Sequence, residues 1–596
     1  MSLPTPAELT AEHWRGAGRA LVAKAIAEFC YEELLTPTQE GAGRHRIELP
    51  GNVSYRFTAK RGAYGSWFVV PGSVSRHAPG ADQEADDALR FVLDAHQALG
   101  LSGDTAGHLI RELNATLAAD VKLLATAGLS ASALAELPYE QLEGYQTGHP
   151  WIVLNKGRVG FSSTDAQVYP PEARRPLVLP WIAARRDLAT FRGVPGLTAE
   201  RLYNSELDGA TRADFTNQLT ARGLDPAAYW WLPVHPWQWD ETVLPLFTAQ
   251  VADQLIVPLG DGPDAYLAQQ SIRTFTNTTT PLRRNVKLPL SVLNTLVWRG
   301  LPTERTVAAP AVTAWVQGIA AKDAFLRDEA RVVLLGEVAS VTVAHPELDE
   351  LPGIPYQYRE LLGAIWREPL AAALEPGERA RTLASLLQVD PDGRALLSEL
   401  VARSGLRPKV WLARLFSAML PPLLHYLYQY GVVFSPHGEN AIVVYDAHDI
   451  PVRLAVKDFV DDVNISAKPL PELTDLPPEV GAVLLRESPE YLCQFLHAGL
   501  FIGHYRYLSE LAERQLGVRS EEFWRMVRGE ILAYQKAFPQ LAERFETFDL
   551  LTERIDRLCL NRNRLLLDGY RDRPERPHAA VHGEVLNPLY TAATDD

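Results

Sequence analysis

The stretch FSPHGENAIVVYDAHDIPVRLAVKDF, residues 434–459, joins a tight polar turn to two runs rich in β-branched residues. The runs AIVVYD (441–446) and PVRLAVKDF (451–459) flank the short segment AHDI. Extended runs on both sides of a short turn predict a β-hairpin. The polar segment PHGEN then comes directly before the first strand, at the open end of that hairpin.

Two acidic residues meet at this open end. A hairpin centred on the turn places Glu439 opposite Asp458 and Asn440 opposite Lys457. Neighbouring carboxylates repel each other unless a cation lies between them, and carboxylate and amide oxygens suit Mg²⁺ that also holds a polyphosphate. One interpretation is therefore a metal site at Glu439 and Asp458. The other is that Lys457 and Arg453 neutralise the two acids on a solvated strand edge.

The composition is that of a large, acidic, globular protein. The chain has 596 residues, of which 47% are apolar and 22% charged, and its formal net charge is −15. This length predicts about three domains or subdomains. The sequence has no basic tract that could follow a phosphate backbone, so nucleic acid is not an expected partner. An anionic substrate would need a local cluster of Lys and Arg that acts against the overall charge.

Three features indicate a cytoplasmic protein without a membrane anchor. Cys30, Cys493 and Cys559 are far apart and lack metal-ligand spacing, which is typical of reduced, buried thiols. The N-terminal segment predicts a capped amphipathic helix and not a signal peptide. Residues 410–434 are apolar but contain Arg414 and a pair of prolines, which favours a buried helix pair or a kinked helix in a core over a membrane span.

The order of the elements predicts an α+β fold. Helical and strand patterns mix as far as about residue 345, apart from a Gly- and Pro-rich segment at about 145–180. From about residue 355 the pattern is mainly helical, interrupted by the hairpin. We therefore expect three subdomains, at 1–180, 181–355 and 356–596, of which the last is largely helical.

A second polar cluster is predicted within QQSIRTFTNTTTPLRRNVKLPLSVLNTLVWRG, residues 269–300. SIRTFTN has the composition of a strand, and RNVKL follows as its partner after a loop. Such a pairing would bring Ser271, Arg273 and Thr274 close to Lys287. Hydroxyl, guanidinium and ammonium groups in one place suit a triphosphate or a carboxylate.

The same segment supplies two more candidates. A helix is predicted to begin near Pro289, since proline is tolerated in a first turn. Thr295 and Arg299 would then share one face of that helix and point into the same cleft. The alternative for the whole cluster is a set of ordinary surface charges. A P-loop nucleotide site is excluded because the chain has no GxxxxGK[ST] sequence.

A third candidate is the loop GHPWIVLNKGRVGF, residues 148–161. In it His149, Asn155, Lys156 and Arg158 lie between glycines. A single His-Pro pair is weak evidence, and taken alone this loop could be purely structural.

VHPWQWD, residues 234–240, is a fourth candidate. His235, Trp237, Gln238 and Trp239 could stack on a nucleobase or hydrogen-bond to it. Tryptophans more often fill a core, and we favour that interpretation here.

Taken together, these stretches resemble one family, the IucA/IucC-type synthetases, which are the NRPS-independent siderophore synthetases. The matching stretches follow the family order from about residue 148 to 590: GHPWIVLNKGRVGF, VHPWQWD, SIRTFTN, KLPLSVLNTLVWRG, PHGENAIVV, VKDF and NPLY. The resemblance implies a cupped hand in which 1–180 is thumb-like, 181–355 fingers-like and 356–596 palm-like. It also implies a homodimer that uses ATP and Mg²⁺ to adenylate a carboxylate and then passes the acyl group to an amine or hydroxyl.

The resemblance also assigns roles to residues. The positions that match the family's ATP-binding residues are His149, Arg158, Ser271, Arg273, Thr274, Lys287, His437, Asn440 and Asp458. The expected catalytic residues are Lys287, Thr295, Arg299 and His437, and the expected Mg²⁺ ligands are Glu439 and Asp458. Cations would neutralise the charge that develops when a carboxylate attacks the α-phosphate. His437 is also a candidate base for the amine, because a histidine pKa lies close to neutrality.

Two departures from the family pattern resemble a subgroup. Many members carry Glu-x-His-x-Gln-Asn, whereas this chain has Ser435 and Glu439 at the first and fifth positions. Many repeat His-Pro in the third candidate loop, whereas here Ile152 and Val153 follow Trp151. Both variants resemble the desferrioxamine and alcaligin synthetases, which implies a succinylated hydroxamate or a citrate derivative as the carboxylate substrate. Two other functions stay open: a catalytically inactive paralogue that only binds nucleotide or carboxylate, and a kinase-like transfer of the γ-phosphate.

Overall fold

The computed structural model describes residues 5–126, 128–567, 569–576 and 579–591. Its N-terminal helix, Ala11–Tyr31, begins after Thr10, whose side chain accepts a hydrogen bond from the backbone N–H of His13. More than half of the helix is buried, partly against helix Gly103–Thr126. The helix predicted at the N-terminus is therefore confirmed.

The other N-terminal elements are a small antiparallel sheet and several helices. In spatial order the strands are Thr38–Gly41, Arg44–Leu49, Val53–Arg61, Ser75–Ala78 and Ala81–Glu84, with Trp67–Val69 paired to the third. The helices are Ala88–Ala95, Gly103–Thr126, Ala131–Glu136 and Tyr139–Leu142. All three cysteines of the chain are free and buried, as expected.

An eight-stranded antiparallel sheet, called the central sheet, is built from the middle of the chain. In spatial order its strands are Ala189–Gly193, Glu337–Val343, Gly363–Arg367, Asn285–Lys287, Thr274–Asn277, Ile256–Ala268, Leu177–Arg185 and Tyr229–Pro233. β-branched residues favour these strands, as in EVASVTV (337–343), every residue of which is buried. Thr274 pairs with Lys287, so the predicted pairing of SIRTFTN with RNVKL is confirmed.

The prediction of a helix that begins near Pro289 is wrong. Leu290–Asn294 and Val297–Arg299 instead form a two-stranded hairpin. Thr295 lies in its turn with a φ of 57°, a left-handed conformation that no regular helix contains. The β-branched and aromatic residues of SVLNTLVW favour strands, and this outweighs the tolerance of a first helical turn for proline. The two side chains still meet, since Arg299 Nη2–H donates to Thr295 Oγ1.

The hairpin predicted at 440–459 is confirmed. Its strands, Ala441–Tyr445 and Pro451–Lys457, form the site hairpin and lie between strands Val333–Leu335 and Arg379–Thr382 in a four-stranded sheet. Ala441 pairs with Val456, which is the predicted register. The Lys457 backbone N–H also donates to Asn440 O at 3.3 Å, so the polar turn continues this register.

Helices dominate the chain after residue 355. The main ones are Leu396–Ser404, Pro408–Tyr430, Pro489–Leu496, Arg506–Leu516, Ser520–Ala537 and Leu560–Leu566. Pro421 and Pro422 lie inside one continuous helix that is mostly buried, so the core location predicted for 410–434 is confirmed, whereas the helix pair is not. Among the described residues no helix is long and apolar enough to cross a membrane.

Two large hydrophobic cores hold these elements together. One joins N-terminal residues between Ala17 and Leu154 with C-terminal residues between Leu301 and Leu589. The other packs against the central sheet. The α+β fold with a largely helical C-terminal half is confirmed. The three subdomain boundaries stay a prediction, and strand Gly363–Arg367 extends the central sheet beyond residue 355.

Candidate active site

Lys287 lies at the centre of a buried ionic cluster. Its side chain is 1% exposed, on a strand that is paired on both sides in the central sheet. The ammonium group donates to Asp461 at 2.9 Å, to Glu337 at 3.3 Å and to Asp458. Burial alone would lower the pKa of Lys287, but the three carboxylates raise it above its usual value. The lysine is therefore held as a cation in a fixed position.

Asp458 follows the second strand of the site hairpin with a φ of 74°. Its carboxylate accepts hydrogen bonds from Lys287 and, at 3.2 Å, from Arg367 Nη2. Burial disfavours the charged carboxylate, but these two cations outweigh it and hold the pKa of Asp458 well below its usual range. Sequence reasoning missed Arg367, which ends the buried strand GAIWR and is itself 2% exposed. A lone arginine in an apolar strand is the signal that could have identified it.

Two further guanidinium groups lie beside the same acids. Arg273 donates to Asp461 at 3.2 Å and to the backbone oxygen of Gly300. Arg305 donates to Val460 O at 2.9 Å, and one of its nitrogens lies 3.7 Å from Asp461. Carboxylates thus partly balance the positive charge around the predicted phosphate ligands.

Arg299 differs from these cations, because no carboxylate pairs with it in the described part of the chain. Its Nη2–H donates to Thr295 Oγ1, while its Nε–H is buried and has no partner among the described residues. Burial, together with the nearby Arg273 and Arg576, lowers the pKa of Arg299 to about 9. A guanidinium with a free donor is suited to bind an anion.

Arg576 also reaches this region and was not predicted. It forms an ion pair with Glu360 at 2.6 Å and donates to Gly300 O at 3.2 Å. Its sequence context, RPERP, is typical of an exposed, charged loop, so no local signal marked it.

The His437 turn, residues 436–440, carries other predicted ligands. His437 Nδ1 accepts the Glu439 N–H at 3.3 Å, and its Nε2 lies 3.6 Å from Asp462. Asn440 donates to the same Asp462 carboxylate through Nδ2–H. The imidazole is still 38% exposed, so it remains accessible to a ligand.

Glu439 and Asp458 have different neighbours. Burial, and then the adjacent Glu143, raise the pKa of Glu439 to about 8. Lys457 donates to Tyr139 at 3.0 Å and lies 3.9 Å from Glu143, so it offsets part of this negative charge. Within the described ranges no three His, Cys, Asp or Glu side chains are grouped as a metal site. A metal ion held by Glu439 and Asp458 would need further ligands from a substrate.

Several predicted residues have local partners. Ser271 Oγ accepts the Thr274 N–H at 3.2 Å, which stabilises the turn before the strand. Arg453, the second cation expected beside the acids of the site hairpin, pairs with Glu378 instead.

The third candidate loop is anchored through Trp151. His149 Nδ1 accepts the Trp151 N–H at 3.2 Å, and burial lowers the pKa of His149 well below its usual value. Trp151 Nε1–H donates to Glu32 at 3.0 Å. Asn561 donates to Glu32 at 2.8 Å and to Trp151 O at 3.2 Å. This set of bonds ties His149 to the N-terminal helix and to a C-terminal helix.

The remaining charged residues of that loop form ion pairs. Arg158 pairs with Glu172, and both side chains are buried. Lys156 lies 2.7 Å from Asp120 and is 1% exposed. These contacts stabilise the loop, and a nucleotide contact by Arg158 stays a prediction.

The core interpretation of VHPWQWD is confirmed. His235 and Gln238 are 0% exposed, and Trp237 is 6% exposed. Gln238 donates to Ser291 at 3.0 Å and to Leu361 O at 2.9 Å. This segment therefore packs behind the hairpin that carries Arg299 and supports it.

A half-enclosed cavity of about 490 Å³ adjoins the third candidate loop. Its lining includes Lys24, His149, Ala384 and Leu387. The Ala384 N–H donates to Gly438 O at 2.9 Å, so the cavity wall is in contact with the His437 turn. Its volume lies in the range of small-molecule sites.

Two family models match this chain. The model described as IucA / IucC family matches residues 138–388, which contain the third candidate loop, Lys287 and Arg299. The model described as Ferric iron reductase FhuF-like transporter matches residues 409–573, which contain the site hairpin.

Full-length relatives agree with the first of these models. The rhizobactin siderophore biosynthesis protein of Rhizobium meliloti (strain 1021) is 39% identical over 98% of this chain and 97% of its own. The aerobactin synthase of Escherichia coli is 36% identical over 93% of this chain and 95% of its own. The solved structure of aerobactin synthetase IucC from Klebsiella pneumoniae is 33% identical, covers 98% of this chain and 100% of its own, and has a TM-score of 0.86.

Proposed function

We propose that this chain, which belongs to the IucA/IucC family of siderophore synthetases, is an ATP-dependent ligase that adenylates a carboxylate and condenses it with an amine. The product is an amide, and AMP and pyrophosphate are released. The observation that carries the proposal is Arg299, a guanidinium with a free N–H and no acidic partner in the described chain. It lies beside cations whose charge is already partly balanced.

In the first step, a carboxylate oxygen attacks the α-phosphorus of ATP, and the bond to the pyrophosphate oxygen breaks. Two anions approach each other, so positive charge must be in place before the reaction begins. We assign Arg299 and Thr295 to the carboxylate, and Arg273 and Lys287 to the phosphates. The polar side chains of Ser271 and Thr274 and of the His437 turn would complete the phosphate contacts.

In the second step, the amine attacks the carbonyl carbon of the acyl adenylate. The new C–N bond forms, the C–O bond to the phosphate breaks, and AMP leaves with the electron pair. The amine must first lose a proton. His437 is the candidate base, because its imidazole is partly exposed and Asp462 lies 3.6 Å away, where it would stabilise the imidazolium.

Mg²⁺ at Glu439 and Asp458 is part of the same proposal. Mg²⁺ commonly takes one or two carboxylates and completes its shell with phosphate oxygens and water. Glu439 and Asp458 would supply the two carboxylates, and Asp458 would then exchange part of its pairing with Lys287 and Arg367 for the ion. When bound, the ion would neutralise phosphate charge.

The resemblance and the relatives support a proposal for the substrate class. We propose a succinylated hydroxamate or a citrate derivative as the carboxylate and a primary amine as the nucleophile. The relatives named above are a rhizobactin biosynthesis protein and an aerobactin synthase, both of which concern siderophores.

The test is pyrophosphate release from the purified chain with ATP, Mg²⁺ and a panel of citrate, succinate and succinylated N-hydroxy diamines. Carboxylate-dependent release of pyrophosphate with AMP supports the ligase. ADP as the nucleotide product would indicate a kinase-like γ-phosphate transfer instead. Bound ATP without pyrophosphate release for any carboxylate would indicate the inactive paralogue.

A homodimer in the cytoplasm stays a prediction, in which the dimer rests on the family resemblance and the location on the N-terminal sequence pattern. Light scattering at micromolar protein concentration should give twice the chain's mass of 66.1 kDa. A monomer under those conditions would contradict the prediction.

A further inference from the structure

A C-terminal segment, residues 569–576, contributes to the surroundings of Arg299. The Tyr356 N–H donates to Arg573 O at 3.0 Å, which fixes the segment against the 356–360 stretch. This contact brings Arg576 next to a hairpin that lies far from it in sequence.

Arg576 uses only part of its guanidinium on the protein. Its Nε–H donates to Glu360 at 2.9 Å, and its Nη2–H groups donate to Glu360 at 2.6 Å and to Gly300 O at 3.2 Å. In the part of the chain that the structure describes, nothing accepts a hydrogen bond from Nη1. The side chain is 26% exposed. Among the described residues, one edge of the guanidinium is therefore left without a partner and can bind a ligand.

Two guanidinium groups meet at one backbone carbonyl, and a third lies close to both. Gly300 O accepts hydrogen bonds from both Arg273 and Arg576, and Gly300 directly follows Arg299. Arg273 and Arg576 each have an acidic partner, whereas Arg299 has none among the described residues. Like charges this close repel, so an anion that enters between them is stabilised by all three.

We propose that Arg576 is the second arginine of a carboxylate clamp, in which the reacting carboxylate of the substrate lies between Arg576 and Arg299. The inference rests on the proposed function, because it concerns the carboxylate that the ligase would activate. The clamp holds one oxygen toward each guanidinium before the attack on phosphorus. It also makes the C-terminal segment part of the substrate site.

The experiment separates a ligand contact from a structural ion pair. Arg576→Gln removes the cation but leaves Glu360 buried without a partner, which can destabilise the fold. The double variant Arg576→Gln/Glu360→Gln removes both charges and leaves no unpaired acid. Glu360→Gln alone keeps the guanidinium. A control is Arg453→Gln/Glu378→Gln, another arginine–glutamate pair with little exposure, which lies at the site hairpin.

The first readout is ATP–pyrophosphate exchange, from which the KM for citrate and the KM for ATP are determined separately. The second is calorimetric binding of citrate in the presence of a non-hydrolysable ATP analogue. Both variants that lack Arg576 should raise the citrate KM about ten- to a hundredfold, as expected for one charge-assisted hydrogen bond. Their KM for ATP should change less than about twofold. Glu360→Gln and the control pair should keep the wild-type citrate KM.

Two results would overturn the clamp. If the double variant regains the wild-type citrate KM, Arg576 only serves as the partner of Glu360. If the KM for ATP rises and that for citrate does not, Arg576 is a nucleotide ligand. If the wild-type chain binds citrate but catalyses no exchange, the proposed function fails, while citrate affinity across the same variants still decides the role of Arg576.

Discussion

Arg299 is held in a position that costs the folded protein stability. A largely enclosed guanidinium without an acidic partner is unfavourable, and the neighbouring arginines add repulsion, which explains its lowered pKa of about 9. The other cations of the site each gain a carboxylate. An anionic substrate would provide the missing partner, so binding would offset this loss of stability.

Arg299→Lys should abolish most acyl-adenylate formation. Lysine keeps the charge but not the two-pronged donor, and it is too compact to reach both Thr295 and a carboxylate. Loss of a contact that strengthens in the transition state costs about 2.7–4 kcal/mol, roughly a hundred- to a thousandfold in rate. ATP binding by calorimetry should be largely retained. Complete loss of ATP binding would make Arg299 a nucleotide ligand, and full turnover would remove it from the site.

Lys287→Met should destabilise the protein in a pH-dependent way. In the wild type, Lys287 contributes to the lowered folded-state pKa values of Asp458 and Asp461, so their contribution to stability is present above the unfolded pKa and is lost as pH falls through the folded value. The variant leaves buried carboxylates without their central cation, which costs about 3–5 kcal/mol at pH 7. Thermal unfolding should show that the difference in stability between the wild type and the variant becomes smaller toward pH 4.5, because the carboxylates of the variant become protonated. An equal difference in stability at pH 7 and pH 4.5 would contradict the role of the ionic cluster.

Only some residues of this site could be predicted from the sequence. Lys287 and Arg273 could be placed together because both lie on strands of one recognisable pair. Arg367 and Arg576 could not, because their contacts depend on how distant segments pack. A motif marks side chains that follow one another in the chain, whereas an ionic cluster depends on tertiary contacts.

The third candidate loop shows the same contrast among elements. Its glycines and its His-Pro pair predicted an irregular segment, but its anchors come from residues that precede and follow it by more than a hundred positions. The hairpin at 290–299 was mistaken for a helix for a related reason. The sequence showed a proline that a first helical turn tolerates, but it did not show the pairing of the two strands, which favours a hairpin.

Asn561→Ala should loosen this loop. The side chain accepts the Val153 N–H at 2.9 Å and donates to Glu32 and to Trp151 O, and it is 3% exposed. Its removal leaves buried groups unpaired, at a cost of about 1–3 kcal/mol. Hydrogen exchange at 148–158 should accelerate, and kcat/KM for ATP should fall because His149 loses its fixed position.

Asn587→Ala is the matched control for that change. Asn587 is also fully buried and bonds to Leu550 O and Thr552 O, away from the loop. It should lower thermal stability by a similar amount without faster exchange at 148–158. Equal loop exchange in both variants would mean that Asn561 acts only through global stability.

At the scale of the whole molecule, the candidate site is a meeting point of four distant stretches. Lys287 and Arg299 come from the middle of the chain, Asp458 follows the site hairpin, and Arg576 comes from the C-terminal segment. The first hydrophobic core joins the N-terminal and C-terminal parts of the chain, and His149 lies near both His437 and Arg299. Such a site exists only in the complete fold.

A ligand that binds there should therefore protect several stretches at once. We expect ATP with Mg²⁺ to slow hydrogen exchange together at 145–158, 271–300 and 436–462, since the cations and the two turns would contact one nucleotide. Adding citrate should extend the protection to 569–576, because Arg576 then gains a partner. Exchange measured by mass spectrometry at matched ATP and citrate concentrations resolves these segments. Protection confined to one of them would indicate a local binding event and would contradict a shared site.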